Sequence, residues 1–266
     1  MADRAALGRI PLLLVAPALL GVAFLIAPVV GLVLEAPWSS LLDELRSPET
    51  LSALRLSLMT ATASMVLCLL IGVPLAWMLA RIAFRGRKLV RALVTVPLVL
   101  PPVVGGIALL VTLGRNGVVG GPLADVFGIR IPFTVAAVVL AQTFVALPFL
   151  VLSVEGALRS ADSRFDEVAA TLGAGRWWTF ARVTMPMVGP GVVSGAVLAW
   201  ARALGEFGAT ITFAGSNPGV TQTMPLHIYA RYNTDREAAL VLSLLLLAVS
   251  ILVLTALRER WLGTAR

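Results

Sequence analysis

The sequence predicts an all-α, polytopic membrane protein that crosses the bilayer six times. Of its 266 residues, 59% are hydrophobic and only 13% are charged, and the mean hydropathy is +0.94. Soluble domains carry about 25% charged residues. The apolar residues gather into six stretches that are long enough to span a membrane. The predicted spans of this single transmembrane domain, residues 1–266, cover about 10–34, 56–80, 92–114, 131–154, 185–210 and 237–257.

The first four spans differ in how well their sequences suit a straight helix. Ile10–Leu34 is uncharged and exceeds the apolar core of a signal peptide, about 7–15 residues, so we expect it to be retained as a span. The third span contains Pro97, Pro101 and Pro102. Proline removes a backbone donor and clashes with the preceding turn, so this helix must bend or break. The fourth span carries the polar Gln142.

The basic residues divide unequally between the two sides of the predicted membrane. Six spans place both termini on one side, and fourteen of the 21 Lys and Arg residues then share that side. Basic residues concentrate in cytoplasmic loops, so both termini and the loop of residues 155–186 are predicted to be cytoplasmic. The net charge of +7 lies in these short loops. It is therefore not the signature of a nucleic-acid partner, and the apolar spans imply membrane lipid as the neighbour.

The fifth span contains two ionisable residues, Arg202 and Glu206. Four residues apart on a helix, they share a face and can pair. Ionisable groups at membrane depth usually face a protein interior or a wet pathway. The pair therefore either lines a translocation path or its gate, or only ties helices together. Small residues recur on the same helix at four-residue spacing and predict close packing against another span or a second copy of the chain: Gly191, Gly195, Ala199 and Ala203.

The loop of residues 155–186 is a long polar interlude that reads as two short helices. Ser163 and Asp166 form an S-x-x-D start signal, whose side chains can accept hydrogen bonds from free backbone N–H groups. Apolar residues then recur at helical spacing and make one stripe: Phe165, Val168, Ala169 and Leu172. Gly173 and Gly175 follow, and glycine accepts the left-handed conformation that ends a helix. An aromatic second segment is closed by Pro186.

Part of this loop resembles the "EAA" loop of ABC-importer permeases. Glu167-Val168-Ala169, Gly173 and Val183-Thr184-Met185-Pro186 match its E-A-A-x-x-x-G and I-x-L-P pattern at the right spacing, with Val168, Val183 and Met185 as departures. The resemblance implies a type I ABC importer permease fold and a coupling helix that docks on a cytoplasmic ABC ATPase subunit. The coupling residues it implies are Glu167, Ala169, Ala170, Gly173, Ala174 and Pro186. The alternative is an interfacial loop that only connects two spans.

Catalytic and cofactor motifs are missing from the sequence. The glycine cluster at Gly114, Gly117, Gly120 and Gly121 lacks the Lys-Ser/Thr pair of a phosphate-binding loop. We predict a non-catalytic transport subunit that binds no cofactor, with ATP and Mg bound by the partner subunit. The single histidine, His227, has no Cys or His neighbour at ligand spacing, so no metal site is predicted.

A second resemblance concerns the substrate. The run R-A-L-G-E-F-G-A-T from Arg202 to Thr210, continued by P-G-x-T-x-T-x-P-L-x-I-Y up to Tyr229, is most similar to molybdate and tungstate permeases. It implies a homodimer in a bacterial inner membrane that receives its oxyanion from an external binding protein. A sulfate or thiosulfate permease is the first alternative, and an ATP-independent secondary transporter is the second.

Hydroxyl groups at the outer end of the fifth span fit an oxyanion path. Thr210 and Thr212 could donate hydrogen bonds to a dianion, as could Ser216, Thr221 and Thr223 in the loop that follows. They could equally be solvated loop residues.

Overall fold

The computed structural model describes residues 12–162 and 164–262. The predicted helix start at Ser163, the first residues of the first span and the terminal basic residues Arg4, Arg9 and Arg266 lie outside the described residues. The helices in chain order are α1 (Leu12–Glu35), α2 (Leu41–Arg46), α3 (Pro48–Arg81), α4 (Arg87–Val99), α5 (Pro102–Leu113), α6 (Gly120–Phe127), α7 (Val135–Ser160), α8 (Arg164–Thr171), α9 (Arg176–Thr179), a π-helical turn (Phe180–Thr184), α10 (Met185–Leu204), α11 (Gly208–Phe213), α12 (Met224–Tyr232) and α13 (Arg236–Leu262).

Five of the described helical segments are long and apolar enough to cross a membrane. They are α1, α3, α7, the continuous run from Arg176 to Leu204 that ends in α10, and α13. Helices α4 and α5 qualify as a sixth span if taken together, although they meet at a bend of 118°. The bend falls between Val99 and Pro102. This confirms the break expected from the prolines, with Pro102 in the first turn of α5, where its missing N–H is tolerated.

The core of the chain is a bundle of α3, α7 and α10, which pack extensively on one another. Small residues let α10 and α7 approach closely. A Cβ added at Gly195 would lie 3.0 Å from the Cβ of Ser153, and one added at Gly191 would overlap Ala157. Ala199 is fully buried. The small-residue face therefore packs within the same chain, against α7.

A second packing unit joins α5 to α11. The two helices cross at glycines, since a Cβ on Gly208 would come within 2.8 Å of the Pro102 Cβ. At the same end of the bundle, the Met224 N–H donates to the Ser57 hydroxyl at 2.7 Å. That bond fastens α12 to α3.

Helix α1 lies apart from this bundle. None of its residues from Leu13 to Glu35 is buried, and its main contact is with α13. A helix that is apolar on all sides requires an apolar surrounding, which lipid or another chain must provide.

Several helices extend beyond the spans that the sequence predicts, most of all α3 and the helix that leads into the fifth span. Helix α3 begins at Pro48 because the Ser47 hydroxyl accepts from the Thr50 N–H at 3.2 Å and caps it. The helix that leads into the fifth span begins at Arg176, so Pro186 does not close a segment. It lies in the first turn of α10, directly after the π-helical turn, a local irregularity that accommodates a residue without an N–H.

Candidate functional site

The loop between α7 and α10 folds into a compact hook, residues Arg164–Thr184, made of α8, a glycine turn, α9 and the π-helical turn. Gly173 has φ +81°, the left-handed conformation that glycine adopts without strain. Its N–H donates to the Ala170 carbonyl, and the Ala174 N–H donates to the Ala169 carbonyl, both at 3.0 Å. Gly175 is extended, with φ −67°. Contrary to the prediction, it therefore plays no left-handed part in ending α8.

Asp166 fastens the hook to the membrane helices. Its carboxylate accepts from the Thr184 hydroxyl at 2.8 Å and lies 3.5 Å from the Arg81 guanidinium at the end of α3. Arg81 also donates to the Ala161 carbonyl at 3.4 Å. The carboxylate thus joins α8 to the two neighbouring helices, contacts that the sequence pattern did not predict. The predicted capping contact with Ser163 lies outside the described residues.

Aromatic contacts hold the other side of the hook against α3. The ring of Phe180 meets Trp77 edge-on, with centroids 5.9 Å apart, and lies 5.6 Å from Trp177. Such pairs add about 0.5–1.5 kcal/mol beyond the area they bury. The hook is therefore fixed by both a polar and an aromatic attachment.

A second ionic cluster ties α7 to α4 near the hook. Glu155 is buried, and its carboxylate accepts from the Arg91 guanidinium and from Arg159, whose terminal nitrogen lies at 2.8 Å. Sequence reasoning missed this cluster and the Asp166–Arg81 pair. The available signal was the placement of opposite charges at helix ends that share one side of the predicted membrane.

The hook exposes an apolar face. Phe165, Val168 and Leu172 are 55%, 55% and 82% exposed, and Trp178 is 53% exposed. Together with neighbouring residues they border an open groove of about 600 Å³. Large exposed apolar patches of this kind mark interaction surfaces. The residues lining this apolar groove are Phe165, Val168, Ala169, Leu172, Gly173, Ala174, Gly175, Trp178 and Val183.

The predicted coupling residues lie on both sides of the hook. Ala169 and Gly173 line the apolar groove. Glu167 and Ala170 line a polar cavity of about 640 Å³ between the hook and the end of α3, and Ala174 borders both spaces. Pro186, also in the predicted set, is exposed in α10.

The structure brings together the two ionisable residues of the fifth span. Arg202 and Glu206 form an ion pair at 2.6 Å, and Glu206 is 1% exposed. The Glu206 carboxylate also accepts from the Ala209 N–H at 2.8 Å, which satisfies a free amide in the first turn of α11. Helix α10 consequently ends at Leu204, before the predicted end of the span.

The two threonines of the predicted path differ in their surroundings. Thr210 is fully buried, and among the described residues its hydroxyl has no hydrogen-bond partner. Thr212 donates to the Gly208 carbonyl of its own helix at 3.0 Å. Thr210 is therefore the one of the two whose hydroxyl donor is not already used within the described part of the chain.

His227 lies on α12 and is buried, with Nδ1 3.3 Å from the Gln222 amide oxygen. Burial lowers the pKa of His227, and the nearby Arg231 lowers it further. Its imidazole is therefore neutral at pH 7. The described residues contain no group of three or more His, Cys, Asp or Glu side chains that could hold a metal ion.

Residues 72–263 match a family described as "Binding-protein-dependent transport system inner membrane component". The chain is 53% identical over 247 residues, 92% of each chain, to a molybdenum transport system permease protein of Mycobacterium tuberculosis. It is 39% identical over 211 residues to the Escherichia coli protein of the same name, covering 79% of this chain and 92% of that one. A probable transport system permease of Clostridium pasteurianum is 35% identical over 88% of this chain and 82% of its own length.

Solved structures share the fold. A bacterial ABC transporter involved in the import of the acidic polysaccharide alginate superposes with a TM-score of 0.76, covering 95% of both chains at 18% sequence identity. At that identity the likeness concerns the fold alone. The helical arrangement described above is therefore that of an ABC importer permease.

Proposed function

The chain belongs to the family of binding-protein-dependent transport system inner membrane components, and on that premise we propose that it is the permease subunit of an ATP-driven molybdate importer. The assignment of the substrate rests on the 53% identity to a molybdenum transport permease over 92% of both chains. The run from Arg202 to Tyr229 supports it. A path for a dianion should offer hydroxyl and N–H donors and few free carboxylates. The carboxylate of Glu206 is compatible with such a path because its charge is neutralised by the Arg202 guanidinium.

We propose that the hook receives the cytoplasmic ATPase subunit. The hook connects two candidate spans and exposes the apolar groove. Asp166 and Phe180 attach the hook rigidly to α3. A rigid attachment is needed if motion of the ATPase is to reach the membrane helices. In this assignment the carboxylate of Glu167 is a charged contact beside the groove, and Gly173 sets the direction of α8. Ala169, Ala170, Ala174 and Pro186 complete the proposed set.

We further propose that two copies of the chain form the pathway. Helix α1 is apolar and unburied from Leu13 to Glu35, and a second copy would cover part of it, with lipid covering the rest. The Arg202–Glu206 pair, with Thr210 and Thr212, would stand near the outer gate. The excess of basic residues on the side of the hook supports a cytoplasmic position for that side and for both termini.

The side of the hook can be tested by labelling single cysteines from outside the cell. With the only native cysteine, Cys68, replaced by serine, and the chain expressed without its ATPase, a cysteine at Leu172 should react with an impermeant maleimide only after the cells are opened. A cysteine at Phe133, in the loop before α7 and 55% exposed, should react in intact cells and serves as the matched control. Labelling of the Leu172 position in intact cells would overturn the coupling assignment.

The transport function can be tested with the chain, its ATPase and its binding protein together in liposomes. Labelled molybdate should accumulate only with ATP, and a large excess of sulfate should not compete. Effective competition by sulfate would identify a sulfate or thiosulfate permease, and a preference for tungstate would reassign the oxyanion. Uptake that persists without ATP but depends on an ion gradient would identify a secondary transporter.

A further inference from the structure

Two adjoining spaces beside the hook form a site that is apolar at one end and polar at the other. The aromatic pocket, of about 250 Å³, is lined by Pro74, Trp77, Arg176, Trp177 and Phe180. The polar cavity described above shares Trp77, Arg176 and Phe180 with it. Arg176 is thus the one charged side chain, among the described residues, that lines both spaces. A ligand that fits both must be amphipathic, with its polar group near this guanidinium.

The aromatic pocket lies near the charged end of α3, one of the candidate spans. Pro74 precedes Arg81, the last residue of α3, by seven positions, or about 10 Å along the helix axis. Tryptophan is enriched at this depth, where the ring meets acyl chains and its N–H meets head groups. Trp177 is 77% exposed. The pocket is therefore accessible to an acyl chain from the surrounding leaflet.

The charges of the polar cavity select the head group. Asp166 is already bonded to Thr184 and paired with Arg81. The other two charged residues of the lining, Arg176 and Glu167, take part in none of the ion pairs between described residues. Among the described residues, this leaves one unpaired cation that lines both spaces and one unpaired anion in the polar cavity, a pair of charges that complements a zwitterion. A second negative charge would be repelled by the carboxylate.

We propose that this site binds a phosphatidylethanolamine molecule of the membrane. Its phosphate lies on the Arg176 guanidinium, its primary ammonium points towards Glu167, and an acyl chain fills the pocket between Trp77 and Trp177. Phosphatidylcholine carries the same charges, but its quaternary ammonium donates no hydrogen bond. Phosphatidylglycerol lacks the cation. The lipid would thus sit beside the hook, and only the assignment of its leaflet rests on the proposed function.

Tryptophan quenching by brominated lipids tests the proposal on the full chain in phosphatidylcholine vesicles. The signal of interest is the part of the tryptophan quenching that is lost in Trp177→Phe and retained in Trp178→Phe. Trp178 lines the apolar groove, whereas Trp177 lines the aromatic pocket. Brominated phosphatidylethanolamine should saturate this signal at a low mole fraction. Arg176→Gln should raise that mole fraction about tenfold, because one charge-assisted hydrogen bond is lost. Arg182→Gln, an exposed neighbour outside both linings, should leave it unchanged.

Three results would overturn the proposal. Quenching that rises in proportion to the bromolipid fraction, equally for all head groups, would show only a tryptophan in bulk lipid. Stronger binding of brominated phosphatidylglycerol would show a generally basic surface. Absence of Trp177 quenching with every lipid would show that the second copy covers the pocket. The readout requires no transport, so failure of the proposed function leaves this test unaffected.

Discussion

Gly173 is the residue at which the geometry of the hook can be perturbed most cleanly. Its φ of +81° is strained for any residue with a Cβ, while a Cβ built there meets nothing within 4 Å. A substitution therefore changes backbone energy and removes no packing. The left-handed conformation costs an ordinary residue about 1–2 kcal/mol, which lowers the population of the native turn about 5- to 30-fold. The loss of the native turn should be larger in Gly173→Val than in Gly173→Ala. It should be smallest in Gly173→Asn, because Asn tolerates the left-handed region.

The assay is ATP hydrolysis stimulated by loaded binding protein, together with copurification of the ATPase. Gly173→Val should remain in the membrane but lose both signals. Gly175→Val is the matched control, because Gly175 is extended and also has open space. It should change the free energy of folding by less than about 0.5 kcal/mol. Equal effects at the two glycines would refute the reasoning, since residue size and not the left-handed turn would then matter.

Three further predictions concern the attachments of the hook and the bundle. Asp166→Ala should weaken the hook by about 1–2 kcal/mol, because Thr184 and Arg81 lose their partner; stimulated ATPase activity should fall, and less so in Asp166→Asn, which keeps an acceptor. Gly191→Val should lower the melting temperature of the solubilised chain, because its Cβ would overlap α7 and overpacking costs about 1–3 kcal/mol, whereas Gly189→Val, with open space, should not. Glu206→Ala should cost about 3–5 kcal/mol by leaving a partly buried cation unpaired. Glu206→Gln keeps an acceptor for α11, so uptake by that variant measures the contribution of the charge, and full uptake would argue against a role in the gate.

The helical bundle could be predicted from the sequence because periodicity and composition are local properties. The fold class, the break near Pro101 and the close packing of the small-residue face all follow from residue type and spacing. The bounds of α3 could not be predicted in this way, because hydropathy alone marks only the apolar part of the helix. The Ser47 cap and Pro48 extend the helix through a charged segment that hydropathy assigns to a loop.

The contacts of the hook could not be predicted from spacing. Asp166 suits a helix start in the sequence, and only the folded chain shows that Thr184, eighteen residues later, donates to its carboxylate. The Glu155–Arg91 pair spans sixty-four residues and requires the relative placement of α4 and α7. Periodicity did predict the apolar stripe of Phe165, Val168 and Leu172. It could not show that this stripe would remain exposed.

A single helical run connects the hook to the Arg202–Glu206 ion pair at the other end of α10. The run from Arg176 to Leu204 is continuous through the π-helical turn, and at 1.5 Å per residue it is about 42 Å long. Its glycine face packs so closely on α7 that a Cβ at Gly191 would overlap Ala157, and close-packed surfaces resist continuous deformation. A force on the hook should therefore move α10 and α7 as one body. If the hook is the coupling element, nucleotide-driven motion should change the separation of the two copies more than the distance from hook to Glu206 within one copy.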